Sequence, residues 1–557
     1  MNVMHTDVLV IGAGPVGTTL ALCLARRGVR SIVAERKPQD APHDIKCNHV
    51  SARSMELYRQ LGVAAALRAG GLPDDYPHSI SYRTSTLGRE ITRIHIPGRS
   101  TRLTDTSGPD GWWPTPEPPH RINQRYLEPI LLAHAREQEN IQLLHGHELL
   151  DYTQDAHGVR ATLRRVHDQT TLQVQARYLA GCDGGRSTVR RAMGAKLQGD
   201  EVVQRVQSTC IRAPRLIEHM QAPPAWAMFS INPRRSGNLY AIDGREIWLV
   251  HNYLRDHETE FDSVDRDASI RAILGVDQHF PYDTLSHEDW IGRRLVADKL
   301  RDGRVFIAGD AAHLWVPYAG YGMNAGLADA ANLAWHLCAQ IEGWAHPDAL
   351  HAYQRERLPI TEQVSHFAMN HAHAMSQRRR AVPAQIEDET PEGQAARERF
   401  GQDLYELNVQ QYCCAGLNFG YYYDDSPLIA YDGATHPPYS MGGFTASTVP
   451  GCRVPHFWLG DGRSLYDALG PGYTLLCTSA DTSVQALRAA AAQRGLPLAC
   501  VTIGHEPARP PEYTHALLLA RADAHVAWRG NTITPGEALR LMDHLRGCGA
   551  HDSVPGT

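Results

Sequence analysis

The sharpest pattern near the start of the chain is an unbroken apolar run, Val8-Leu9-Val10-Ile11, which predicts a strand buried on both faces. It runs into Gly12-Ala-Gly14-Pro15-Val16-Gly17, after which Thr18 to Arg27 has the spacing of a helix ended by Gly28. A second apolar run, Val29 to Ala34, then closes on Glu35. The same grammar returns late in the chain. Val305 to Ala308 predicts a strand that stops at Gly309-Asp310, and Met323, Leu327, Ala330, Leu333, Ala334 and Leu337 recur at helical spacing from Gly322 onward. Pro317, Gly320 and Gly322 lie in the loop between, where backbone can approach a ligand closely. A third strand–turn–helix unit spans Ala176 to Arg190 through Asp183-Gly184.

Between these units the pattern changes. Residues 79–103 alternate in strand fashion and lead to a Pro- and Trp-rich loop ending at Pro119; Asn123-Gln124-Arg125 then opens a helix through Ala135. Residues 203–255 carry short β-like runs such as Leu239-Tyr240-Ala241 and Ile247-Trp248-Leu249-Val250, which predict a sheet with its own core. A helix from Ala349 is expected to bend at Pro359, and residues 376–400, mixing charges with Pro383, Pro391 and Gly393, read as a linker or long excursion. Residues 453–546 alternate strand and helix signals to the end.

Composition narrows the function classes. At 557 residues the chain needs several cores, and 43% apolar residues supply them. A net charge of −6 has no basic footprint for nucleic acid, and no apolar run reaches the roughly 18 residues of a membrane span. The N-terminus lacks the charged and cleavable features of a signal peptide, so a cytoplasmic protein is expected. Eleven scattered cysteines without CxxC spacing, and thirty histidines without HExxH, argue for reduced thiols and no metal site.

The first unit has the full context of a dinucleotide fingerprint: strand, GxGxxG, helix, strand and an acid about 20 residues on. Gly12 permits the turn, Gly14 lets a pyrophosphate near the backbone, Gly17 lets helix meet strand, and Glu35 is placed for ribose hydroxyls. Asp310 likewise ends a strand before a helix whose N-terminal N–H groups suit an anionic or electron-rich ligand edge.

Taken together, the turns at 12–17, 183–190 and 309–324 resemble those of the single-component flavoprotein aromatic hydroxylases, with the p-hydroxybenzoate hydroxylase fold. The tail, with Arg463-Ser464-Leu465-Tyr466-Asp467 and His525-Val526-Ala527-Trp528-Arg529-Gly530, is similar to the thioredoxin-like domain of the phenol hydroxylase branch, here without a CxxC. The resemblance implies an α/β multidomain fold. A Rossmann-like FAD-binding domain (1–76, 116–192, 294–375) holds an inserted β-sheet substrate domain (77–115, 193–293). A linker or helical excursion (376–450) leads to the thioredoxin-like domain (451–557). It implies noncovalent FAD held by Gly12, Gly14, Pro15, Val16, Gly17, Glu35, Arg36, Lys46, Gln124, Asp183, Asp310, Gly320, Gly322, Met323 and Asn324. It implies NADH or NADPH as a transient co-substrate, since no second fingerprint is present, and hydroxylation of a phenolic or polyketide-like aromatic by dioxygen through a flavin C4a-hydroperoxide. A homodimer is compatible with the family.

Departures from the family bear on catalysis. Lys46 stands where an arginine is common, and Asn48 where the phenol hydroxylases carry an aspartate thought to activate the phenol. Asn48 cannot serve as a base, which leaves His49, Tyr321 and Pro317 as catalytic candidates, or a ring that needs no base at all. Asn48, Tyr82, Tyr240, Trp248, Trp315 and Tyr318 are the candidate substrate-pocket residues, while His313 reads as structural. Baeyer–Villiger or decarboxylative oxygenation, or a non-oxygenating FAD dehydrogenase, are the alternatives on the same scaffold.

Overall fold

Three sheets organise a computed structural model that describes residues 3–316, 320–479, 482–504 and 506–548. The first sheet is ordered by strands Arg301–Asp302, Val305–Ile307, Thr171–Gly181, Val3–Ile11, Ser31–Glu35 and Ile141–His145, with the hairpin 147–165 attached to one side. Its centre is parallel, with Val8 opposite Ser31 and Ile11 opposite Gly181. Val8, Leu9 and Val10 are fully buried, as expected of a strand covered on both faces. Helix Pro15–Ala25 starts with proline at its first turn, carries no charge and is buried nearly all round. It packs against helix Tyr321–Ile341, so the two loops predicted as ligand sites end side by side.

The second sheet runs 313–314, 283–297, 197–212, 247–253, 237–241, 227–230, 80–83, 90–94. Residues 80–94 therefore share a sheet with residues 197–297, far away in sequence. Strand 80–83 joins it in parallel, with Tyr82 opposite Phe229. The short strand His313–Leu314 closes the other end against Leu295 and Val296, so the segment after Asp310 stitches the two sheets together. The third sheet, 498–502, 473–477, 517–521, 526–530, is flanked by helices Gln485–Arg494 and Pro535–Leu545. These are the elements expected of 453–546, to within two residues.

The region read as a linker or helical excursion begins in one long helix and contains a second. Helix His351–Arg380 continues without a break past Pro359, and helix Pro391–Tyr412 follows after ten residues. Arg378-Arg379-Arg380 form a last turn whose charge favours the helix C-terminus, and Thr390 caps Gly393 before Pro391. The core face of the second helix, Ala396, Phe400 and Leu404, is masked in the sequence by its charged partners.

Candidate active site

The glycine fingerprint shows two kinds of necessity. Gly12 has φ +103°, and a Cβ there would lie 2.4 Å from the Cys182 carbonyl oxygen; a Cβ on Gly17 would lie 1.9 Å from the Gly12 carbonyl oxygen. Protein packing demands both. A Cβ on Gly14, by contrast, would meet nothing within 4 Å, so that space is left open beside the N-terminus of helix Pro15–Ala25. Pro15 and Val16 form the first turn, and Val16 packs under Gly309 and Gly326. At the end of its strand, Glu35 accepts hydrogen bonds from the Ala13 N–H (2.9 Å) and the Lys37 N–H (2.8 Å), which fix its carboxylate beside the glycine turn. Arg36 beside it is exposed.

The Asp310 loop is held from below. Asp329, fully buried, accepts from the Gly309 N–H (3.2 Å), His313 Nε2 (2.8 Å) and Arg357 Nε (2.8 Å), and the Tyr353 hydroxyl donates to the Ile307 carbonyl (2.7 Å). The Arg357 and His313 charges outweigh burial and depress the Asp329 carboxyl to about 2. His313 is thus structural, and Trp315 stacks on it at 4.4 Å. Asp310 itself is open to the cleft yet ringed by protein. Desolvation raises its carboxyl pKa, against the lowering by His313 and Lys46. Lys46 reaches across to Glu288 of the second sheet (3.1 Å).

Gly320, at φ +60°, starts helix Tyr321–Ile341 without a side-chain cap, so the first N–H groups of this long helix are free of one. Gly322 faces the Trp315 indole, and Met323 is half-buried against the first core. Asn324 is fully engaged: it accepts from the Ser51 N–H (2.8 Å) and donates to the carbonyls of His49 (3.1 Å) and Gly320 (2.7 Å). Its role in this structure is to pin the 46–51 loop to the helix. Asp183 caps the helix Thr188–Ala192 through the Thr188 N–H (2.7 Å), while its Oδ1 is buried with no partner among the described residues. Arg190 of that helix donates to the Ala311 carbonyl (3.0 Å), joining the third turn to the Asp310 loop. Gln124 donates its backbone N–H to the Cys47 carbonyl (2.7 Å) and its side chain to Glu128 (2.7 Å). Pro317 and Tyr318 lie outside the described residues.

The expected catalytic side chains are occupied. His49 is buried, and its Nδ1 accepts from the Arg121 guanidinium, because arginine can only donate. Burial and then the Arg121 charge hold its pKa well below the usual histidine range. A neutral ring with Nδ1 accepting carries its proton on Nε2, so His49, one of the candidate bases, is a donor in this structure. Tyr321 donates its hydroxyl to the Leu417 carbonyl (2.8 Å) among Ile360, Val364 and Met441, and burial pushes its pKa far up. Asn48 accepts from the Asn123 side chain.

Strand register sorts the pocket candidates. Tyr240 pairs with Leu249, and Tyr82 with Phe229, on the sheet face that looks toward Tyr126 and the 45–50 loop. Trp248 alternates to the other face, fully buried in the core cluster that holds Val250, Ile273 and Leu274, which removes it from the candidate pocket. The inner face instead carries an aromatic row that sequence reasoning missed. Trp226 contacts Tyr240 (5.4 Å), Tyr240 contacts His251 (5.4 Å), and His251 contacts Trp290 (5.8 Å). Arg121 was missed too, and its guanidinium lies 4.0 Å over the Trp226 ring. Among the described residues no cluster could hold a metal ion.

Residues 5–368 match the FAD binding domain family, and residues 447–547 match the aromatic-ring hydroxylase C-terminal family. The chain is 30% identical to a putative polyketide hydroxylase of Streptomyces halstedii, across 96% of this chain and 95% of the relative. It is 28% identical to phenol 2-monooxygenase of a Pseudomonas species, across 98% and 93%. The structure of the rebeccamycin biosynthetic enzyme RebC with reduced flavin superposes with a TM-score of 0.87 at 32% identity, covering 99% of this chain and all of that one.

Proposed function

The chain belongs to the FAD-dependent aromatic-ring hydroxylases, and from that premise we propose that it uses NADH or NADPH and dioxygen to hydroxylate a phenolic or polyketide-like aromatic molecule. The observation that carries this reading is a convergence. Helix Pro15–Ala25, which leaves open space at Gly14 and is preceded by the Ala13 N–H that holds Glu35, packs on helix Tyr321–Ile341, and Val16 lies against Gly309 beside Asp310, so the elements expected to hold a dinucleotide adjoin one another.

The residues fit FAD. Gly14 and the adjoining helix N-terminus would take the pyrophosphate, Glu35 the adenosine ribose, Asp310 the ribityl hydroxyls, and the N–H groups after Gly320 the electron-rich edge of the ring. When bound, FAD supplies the two-electron chemistry that activates dioxygen. The protein's share is positioning and exclusion of water. Trp226, Tyr240, His251 and Trp290 offer flat apolar surface for an aromatic ring, and the Asp329–Arg357–His313 group keeps the Asp310 loop rigid. With His49 acting as donor and Tyr321 engaged elsewhere, neither of these two candidates among the described residues is placed to take the substrate proton.

No helix among the described residues is long and apolar enough to cross a membrane, and a cytoplasmic enzyme, monomeric or homodimeric, is the working assignment. The test is a panel of phenols and polyketide-like aromatics screened for stimulated NAD(P)H oxidation, with labelled dioxygen and product mass for each hit. One labelled oxygen on an intact ring is expected. A ring-inserted product would move the reading to Baeyer–Villiger chemistry, and stimulated oxidation without label would end it.

A further inference from the structure

A buried arginine beside the candidate pocket lacks the partner its burial calls for. Arg121 is 3% exposed, and among the described residues its only hydrogen bond goes to neutral His49. Trp226 covers one face of the guanidinium at 4.0 Å, with the Tyr412 ring at 5.9 Å. The nearest buried acid, Asp110, is already committed: one oxygen accepts from Arg102 and the other from the Trp113 indole (2.9 Å). Arg102, Arg121 and Asp110 therefore leave one positive charge over. The surplus is felt nearby. His49 and His78 are both pushed down by burial and then by Arg121 or its neighbours, and Arg121 itself is lowered to about 10.

A desolvated cation without a counter-ion is costly, and cation–π contact recovers only about 2 kcal/mol of that cost. Such a group persists where a ligand completes it. The position suits one: a Cβ on Gly320 would sit 3.1 Å from His49 Cβ, so the His49–Arg121 pair adjoins the loop that starts helix Tyr321–Ile341, and Trp226 belongs to the aromatic row.

We infer that Arg121 is the counter-cation for an anionic oxygen on the aromatic substrate, a phenolate or a carboxylate. This rests on the hydroxylase reading and deepens it. A phenol set against a fixed guanidinium ionises more readily, which supplies the activation that Asn48 cannot and that His49 and Tyr321 are not placed to give. Arg121 would then touch the substrate directly.

The test uses the FAD-bound enzyme and no turnover. 1-Naphthoate, 2-naphthol on either side of its own pKa, and neutral 1-naphthylmethanol are titrated by flavin difference spectra and equilibrium dialysis. Wild type should prefer the anions by at least about tenfold. Naphthoate alone would mark a carboxylate site, and ionised naphthol a phenolate site. Arg121→Met should abolish the preference, and Arg121→Lys should restore part of it. Bromide-soaked crystals should place an anion on the guanidinium in wild type and not in Arg121→Met. Equal binding of the alcohol, a preference that survives Arg121→Met, or no bromide together with no anion binding would each overturn the inference. Because these readouts need no oxygenation, loss of labelled-oxygen incorporation would sink the hydroxylase reading while leaving the anion site standing.

Discussion

Two fully buried arginines, each lying over a tryptophan, differ in one respect. Arg521, from the third sheet, sits 4.4 Å over Trp335 and makes a bidentate pair with Glu356 (2.5 and 2.9 Å) plus a bond to Asp523 (3.0 Å). Arg121 sits 4.0 Å over Trp226 and has no carboxylate bonded to it among the described residues. Burial by itself would lower both. At Arg521 the Asp523 and Glu356 charges overcome it and hold the pKa well above the ordinary arginine value, while at Arg121 burial wins. Glu356 is also bonded to Asn332 (2.7 Å), and its neighbour Arg357 holds Asp329, so the paired arginine locks the C-terminal domain onto the helices under the Asp310 loop. The lesson concerns charge: carboxylates of the protein balance Arg521, whereas among the described residues none is bonded to Arg121, which is left for a ligand to balance.

The largest expected effect breaks the completed site. Arg521→Met strands a buried carboxylate and should cost about 3–5 kcal/mol in urea unfolding. The double variant with Glu356→Met should recover much of that, and a single-variant loss below about 1 kcal/mol would contradict the contrast.

Next comes the same contrast in backbone form. Gly14→Glu puts a charge into open space where the pyrophosphate is expected, so FAD affinity should fall at least about 100-fold while the fold survives, because like charges cost several kcal/mol. Full flavin retention after desalting would remove the cofactor from that cleft.

A pH series sharpens the comparison further. Burial and the Arg68 charge lower His120 from 6.5 to about 3, so below pH 6.5 the unfolded chain binds a proton that the folded chain refuses. Its contribution to stability is complete above about pH 6.5 and is lost as pH falls toward 3, at about 1.4 kcal/mol per pH unit. His120→Gln should flatten the slope of unfolding free energy between pH 6.5 and 5 by about that amount. An unchanged slope would mean that His120 is solvated in the folded protein.

Arg121→Met, removing a cation without a carboxylate to strand, should change stability by less than about 1 kcal/mol or raise it. A loss comparable with that of Arg521→Met would show that a protein partner completes Arg121 after all. The smallest effect is expected from replacing Cys452, Cys477, Cys500 and Cys548 by alanine. All four are free thiols, and turnover of the folded variant should stay within about threefold, well under 1 kcal/mol in transition-state terms.

The glycine fingerprint was legible because its physics is local. The clash that forces Gly17 comes from Gly12, five residues away, and the apolar run at Val8–Val10 announces a strand with no reference to the rest of the chain. The same holds for Gly309-Asp310 and for the strands and helices of residues 453–546. What the sequence could not decide was direction and partnership. Tyr240 and Trp248 read alike as strand aromatics, and only the pairing of Tyr240 with Leu249 puts them on opposite faces. Tyr321 follows the ligand loop, yet its hydroxyl belongs to Leu417, nearly a hundred residues on. His49 looked like a base until Arg121, brought in by the Val50–His120 bridge, took its lone pair. Arg121 itself carries no sequence signal, since its meaning is a missing carboxylate. That absence exists only once segments around residues 49, 110, 226 and 412 have folded around it, because charge balance in a low-dielectric interior is set by neighbours in space and not by neighbours in the chain.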